Sequence, residues 1–406
     1  MSTPRELTAE DLADPHPVYA VWEVTLRCDH ACAHCGSRAD APRPDELSTE
    51  ELLEVAQQLV RLRVREVTVI GGEAYLRPDL PVLIKALVDA GVRVTMQTGG
   101  LGLTPHRVAR LREAGLDAVG VSVDGPAAVH DVLRARPGSH AAAMAAIAAC
   151  REAGLTVTSN TQVNRLSKPF LREVARDLEG AGVQAWRCQL TVPMGRAADR
   201  PDWIVQPYEI PEILETLAQI QLDVAARHRA AGRAPRTMFH VGIGNNLGYY
   251  GKHEELLRSR PGHASAAWGG CTAGRFTLGI ESDGKVKGCP SLPSAPYVGG
   301  NVRDVSIAEL WDDTPELRFV RDRTTDELWG FCKTCYYADT CRAGCSFTTH
   351  CTLGRRGNNP FCTYRATQLA RRGVRERLVH REAAAGVPYD FGRFELVEEP
   401  LPPTAR

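Results

Sequence analysis

The chain has no excess of charge: Lys plus Arg number 49 and Asp plus Glu number 49 among 406 residues. That balance removes the electrostatic case for nucleic acid or an anionic membrane surface as a partner. Long apolar runs are missing too, with none near the ~20 residues of a membrane span, and Met1-Ser2-Thr3-Pro4-Arg5-Glu6 offers no apolar signal core. A cytoplasmic location is expected. Repeats and low-complexity tracts are absent. Cysteine is what the chain does not lack, but its count of 13 is odd, and without a secretion signal a disulfide scaffold is excluded. The length suits one large domain and a smaller one.

The cysteines cluster. Cys28, Cys32 and Cys35 fall within eight residues, seven more lie between Cys289 and Cys362, and Cys271 stands just ahead of them. Such clustering fits metal ligation better than scattered core thiols. Four thiolates close the shell of zinc or of a cubane cluster; three leave one position without a protein ligand. A [4Fe–4S] cluster held that way keeps one iron free for a small chelating ligand. A zinc knuckle or a group of reduced thiols is the plainer alternative.

Strand-like and helical segments alternate around these cysteines. Val21–Leu26, Glu66–Ile70, Val92–Gln97, Ala118–Val123, Leu155–Thr161 and Gln184–Val192 read as strands. Helices are expected from a capping box at Ser48 with Glu51, and over Leu80–Ala90, Pro105–Ala114, Ser139–Ala153, Lys168–Gly180 and Ile210–Arg227. Six such units in series imply an α/β fold with a parallel sheet, either a partial barrel or a flat doubly wound sheet. The expected organisation is a lead-in at 1–19, a barrel at 20–230 and a Gly-rich connector at 231–270. A Cys-rich domain at 271–365 and a C-terminal helix and tail at 366–406, with mobile last residues, complete it.

The spacing CxxxCxxC, with the aromatic His34 just before the last Cys, resembles the radical S-adenosylmethionine (radical SAM) superfamily. The resemblance favours a partial (β/α)6 TIM-like barrel, in which the free iron of the cluster on Cys28, Cys32 and Cys35 chelates S-adenosylmethionine. Gly71-Gly72-Glu73 resembles the family segment that holds the amino group of that cofactor. By the same resemblance Arg134 meets its carboxylate, and His34, Ser122, Asp124, Gln162 and Gln189 join the contacts, with Pro193–Ala197 flanking the adenine. In the second field, Cys271, a hairpin turning at Gly284, Cys289, then Cys332-x2-Cys335-x5-Cys341-x3-Cys345 and Cys362 agree with the SPASM pattern of auxiliary iron–sulfur domains. The family's wiring implies one auxiliary cluster on Cys271, Cys289 and Cys345, completed by His263, by Cys351 or by nothing. A second uses Cys332, Cys335, Cys341 and Cys362, giving three [4Fe–4S] clusters in all. Cys351 can equally be a spare thiol. Cys150 is expected to pack; Cys188, on the sixth strand, packs or points into the barrel as a hydrogen-atom donor.

The resemblance implies an oxidoreductase that splits S-adenosylmethionine to a 5′-deoxyadenosyl radical and abstracts hydrogen from a substrate. Relatives with SPASM domains mostly modify peptides. A ribosomal precursor peptide is therefore the first substrate class, with crosslinking or related C–H chemistry as the outcome. An electron donor such as ferredoxin or flavodoxin is implied, as is a separate leader-peptide recognition protein. Sulfatase-type maturation ranks lower, because Pro290 stands where a carboxylate base is expected. Dehydrogenation of a small molecule or cofactor precursor comes third, and a zinc-stabilised binding module is the non-enzyme alternative.

Overall fold

The computed structural model describes residues 4–402. Seven strands lie side by side in chain order and all parallel: β1 (Tyr19–Thr25), β2 (Glu66–Gly71), β3 (Arg93–Thr98), β4 (Ala118–Ser122), β5 (Thr156–Val163), β6 (Ala185–Leu190) and β7 (His240–Ile243). The two ends of the sheet do not pair, so the barrel is partial.

Period-two alternation divides each strand between two environments. On β5, Val157, Ser159, Thr161 and Val163 are buried, while Thr156, Thr158, Asn160 and Gln162 line an internal cavity. Helices cover the outer face. The helix Thr49–Arg61 starts at the Ser48–Glu51 capping box and buries Leu52, Val55, Ala56 and Leu59, each fully buried Leu contributing roughly 2 kcal/mol.

Three expectations are corrected. The segment 231–270 is not only a connector: β7 lies within it and pairs with β6. Gly242 in a four-residue strand hides it from a propensity reading. The cysteine-rich region is not a separate body either. Its hairpin, β8 (Thr277–Ile280) and β9 (Lys285–Lys287), turns at Gly284 (φ +87°) and adds β8 to the barrel sheet parallel to β1. β10 (Val298–Asn301) then pairs antiparallel with β9.

The third correction concerns the C-terminus. The tail helix runs over Thr363–Arg371 rather than Thr367–Glu376, and the rest is a hairpin of β11 (Val374–Glu382) and β12 (Arg393–Pro400). Gly373, at φ +77°, stops the helix. The last residues, for which mobility was expected, lie outside the described residues. No described helix is long and apolar enough to cross a membrane.

Candidate active site

The loop after β1 is tied down from every side, because its backbone polar groups need partners. Cys28 N donates to Asp40 O (2.8 Å) and Ala33 N to Leu133 O (2.8 Å). Gly71 and Gly72 press against its base. A Cβ on Gly72 would lie 2.2 Å from Arg27 O, and one on Gly71 2.3 Å from Thr25 O. Their lack of side chains is therefore needed for backbone-to-backbone approach. The Pro193–Ala197 segment has a bracing part that sequence reading missed. Arg196 Nε donates to Cys32 O (2.7 Å) and one Nη to Ala39 O (3.0 Å), and Gly195 leaves no room for a Cβ beside Cys35 O and Gly36 O.

Cys28, Cys32 and Cys35 face a large cavity at the carboxyl ends of the strands, the usual ligand end of parallel α/β sheets. Gly71, Gly72, Glu73, Ser122, His34, Arg134, Gln162 and Gln189 line the same cavity. Glu73 is buried, accepts hydrogen bonds from Thr98 Oγ1 (2.5 Å) and Gly99 N (2.6 Å), and burial still pushes its carboxyl up to about 8.

Three expected cofactor contacts are engaged elsewhere. Arg134 does not present a free fork: its Nε and one Nη lie 2.8 and 2.7 Å from Asp124 Oδ2, and the other Nη is 3.7 Å from Cys32 Sγ. Asp124 is fully buried behind the cavity wall and accepts from Gln162 N (2.9 Å). Burial alone would raise its carboxyl, but Arg134 and His34 hold it well below the usual range. His34 spans Leu133 O (3.0 Å) and Asp124 (3.4 Å). These residues build a buried support under Cys32.

Cys188 belongs to the apolar core on the far side of β6 and does not line the cavity. The donor role is thereby corrected to packing, because Gln189 and Arg187 take the inward positions. Cys150 is buried in the same core.

In the second field, Cys271, Cys289 and Cys345 lie within electrostatic reach of one another. Burial, then these neighbours, push the Cys289 thiol up to about 11 and the Cys345 thiol up to about 12. Of the two candidates for completing the trio, Cys351 sits on the helix that Cys345 caps, with Sγ 3.6 Å from Met194 Sδ, and His263 lines the barrel cavity. Cys332, Cys335, Cys341 and Cys362 line a small cavity walled by Tyr249, Tyr250, Phe331, Tyr337 and Tyr364.

The donor sets fit iron–sulfur clusters. All thirteen cysteines are free of disulfides, and burial pushes the thiols of Cys28, Cys32 and Cys341 up. A buried group of this kind becomes thiolate when a metal core supplies positive charge.

The C-terminal segment also reaches the cavity. Tyr389 lines it, hydrogen-bonds Glu23, and lies 4.2 Å from Lys287 Nζ. No local signal marks it, because the contact spans most of the chain.

A sequence profile of the radical SAM superfamily matches residues 22–163, and one of an iron–sulfur cluster-binding (SPASM) domain matches residues 271–336. The AdoMet-dependent heme synthase of Oleidesulfovibrio alaskensis is 30% identical over 374 residues, covering 90% of this chain and 91% of its own. The chain belongs to the radical SAM superfamily. The mycofactocin maturase MftC of Mycobacterium ulcerans is 30% identical over 377 residues, 90% of this chain and 94% of its own. In fold, this radical SAM/SPASM chain is similar to Streptococcus suis SuiB bound to S-adenosylmethionine, with a TM-score of 0.62 at 16% identity over 82% of this chain and 74% of that one. The radical SAM/SPASM chain is an enzyme whose domains imply S-adenosylmethionine and iron–sulfur clusters.

Proposed function

We propose that this radical SAM/SPASM enzyme generates a 5′-deoxyadenosyl radical from S-adenosylmethionine at a cluster that Cys28, Cys32 and Cys35 would hold, and uses it to modify a ribosomally made peptide oxidatively. The supporting observation is the trio of free thiols from one braced loop, at the rim of a cavity large enough for cofactor and substrate together. When bound there, a [4Fe–4S] cluster supplies the electron that splits S-adenosylmethionine. Glu73, held by Thr98 and Gly99, is placed to accept the cofactor's ammonium, a cation that restores the carboxylate charge which burial disfavours. Gln162 and Gln189, paired across β5 and β6, offer amides to ribose or substrate. The Asp124–Arg134 pair holds Cys32 and His34 in place, and such fixed placement governs which hydrogen is taken.

Cys271, Cys289 and Cys345, and separately Cys332, Cys335, Cys341 and Cys362, are proposed to hold two auxiliary clusters, making three per chain. A ferredoxin or flavodoxin is the proposed donor, and a separate protein the proposed reader of the peptide leader. The similarity to mycofactocin maturase and the fold shared with SuiB, which has also been crystallised with its precursor peptide SuiA, support the peptide reading. The similarity to heme synthases supports a second, dehydrogenation of a small-molecule cofactor precursor. Anaerobically reconstituted enzyme given S-adenosylmethionine and dithionite should form 5′-deoxyadenosine; if none forms, the proposal is wrong. A peptide encoded beside the enzyme should raise that rate and change in mass, and the second reading gains if only a tetrapyrrole does so.

A further inference from the structure

The lower part of the barrel cavity holds cations that the reaction described above does not use. Arg187 points inward from β6, flanked in register by Asn160 on β5 and by Gly242 on β7, which has no side chain to cover it. Arg260 lines the same space. Neither head group makes a hydrogen bond or ion pair among the described residues. The groups facing them are mostly cations. Partial desolvation between the cavity walls lowers Arg187, with Arg5 and Arg260 adding repulsion, and lowers Arg260, with Arg5 and Arg93 doing the same. The acidic groups that face them are Glu66, which is already bridged by Arg5 (2.8 Å) and Arg93 (2.8 Å), and Glu6.

Beside them, His240 Nδ1 is buried without a partner, and burial, then Arg260 and Arg187, hold that imidazole down to about 4. The Tyr19 hydroxyl is engaged with Thr68 (2.9 Å). Both arginines are exposed to the open space of the cavity, so their charge is available to a ligand and is not balanced by a protein carboxylate. Two accessible guanidinium groups without a protein partner and a buried, unpartnered imidazole nitrogen converge on one open space, an arrangement that suits an anionic group.

We propose that this floor binds a carboxylate of the substrate, with Arg187 and Arg260 as its charged contacts and His240 Nδ1 beside them. The inference rests on the reading of the cavity above it as the reaction site. Arg187 lies two residues below Gln189 on β6, about 7 Å at the rise of a strand. A carboxylate seated on the floor therefore lies a few bonds from a carbon held at the cofactor level. Guanidinium forks match carboxylates, and either a peptide carboxylate or the propionate of a tetrapyrrole supplies one.

The test is isothermal titration calorimetry on anaerobically reconstituted full-length enzyme loaded with S-adenosylmethionine. The probes are two pairs: tetraglycine with its C-terminal amide, and mesoporphyrin with its dimethyl ester. At least one free acid is expected to bind, and its blocked form to bind about fivefold or more weakly, as for the loss of a solvent-accessible charge pair. Arg187→Gln and Arg260→Gln should each remove that preference, and Arg187→Lys should keep part of it. The pair that discriminates identifies the source of the carboxylate. Equal binding of acid and blocked form, no saturable binding of either acid, or an unchanged preference in both Gln variants overturns the proposal. Circular dichroism and iron content check the fold of each variant, and the wild-type comparison stands even if one variant fails to fold. Enzyme that forms 5′-deoxyadenosine but shows no preference sinks the carboxylate floor alone. Enzyme that shows the preference but never forms the nucleoside sinks the reaction reading instead.

Discussion

Cys28, Cys32 and Cys35 sit on one loop at the rim of a wide cavity of mixed polarity, whereas Cys332, Cys335, Cys341 and Cys362 surround a small space walled by aromatic rings. The first group has three thiols and an open side. The second has four, with Tyr250 stacked on Tyr337 at 3.9 Å and Tyr337 edge-on to Tyr364 at 5.0 Å. Ligand number and surroundings vary together: where a fourth thiol is missing, the protein leaves room for something else to bind. Where four are present, it seals the site with apolar surface, which also sets a cluster's potential. Cys271, Cys289 and Cys345 fall between the two, because three thiols meet and Cys271 still touches the barrel cavity.

This contrast can be broken by substitution. The largest effect is expected from Cys28→Ala, which should abolish 5′-deoxyadenosine formation, measured by chromatography. Cys335→Ala should stop product while uncoupled cofactor cleavage continues, and full turnover by the Cys28 variant would erase the distinction. Iron analysis sharpens it: about twelve iron atoms per chain for three cubanes, with about four lost in either variant.

Asp124→Asn comes next, because it leaves Arg134 as a buried, unpaired cation against Cys32. A loss of about 3–5 kcal/mol in chemical denaturation is expected; the corresponding buried pair at the aromatic site is Arg365 with Glu376 (2.6 Å), within electrostatic reach of Cys332. Gly72→Ala should cost about 2–3 kcal/mol, since its methyl would lie 2.2 Å from Arg27 O; cluster content at the loop should fall with it.

The smallest effect is a pH dependence. His130 is buried in the barrel, accepts from Asp124 N (3.1 Å), and burial holds its imidazole down to about 3. The unfolded chain takes up a proton near pH 6.5 that the folded chain refuses, so this part of the stability is complete above pH 6.5. It is lost as pH falls toward 3. His130→Gln should flatten the fall in denaturation midpoint between pH 7 and 5, a contribution of about 2 kcal/mol at pH 5.

The alternation of strands and helices and the cysteine spacing were legible because both are local patterns. Ser48 caps as its sequence suggests, and β8 and β9 turn at Gly284. Long-range partners were not legible. Arg134 reads as a carboxylate ligand until Asp124 is seen beside it, and Arg196 has meaning only next to Cys32 O. Arg187 could have been found by stepping back two residues from Gln189, since inward positions on a strand repeat every second residue. The β11–β12 hairpin was missed because its strands are rich in Arg and Glu. Their cross-strand pairs, such as Arg375 with Glu399 at 2.7 Å, turn that charge into strand pairing.

The pairing of β8 with β1 has a practical consequence for anyone dividing the protein. A fragment ending before residue 271 would strip the neighbour from β1 and bare a row of unsatisfied amides and carbonyls at a sheet margin, an invitation to self-association. Expressed as two halves, the enzyme should therefore precipitate rather than yield a working front end.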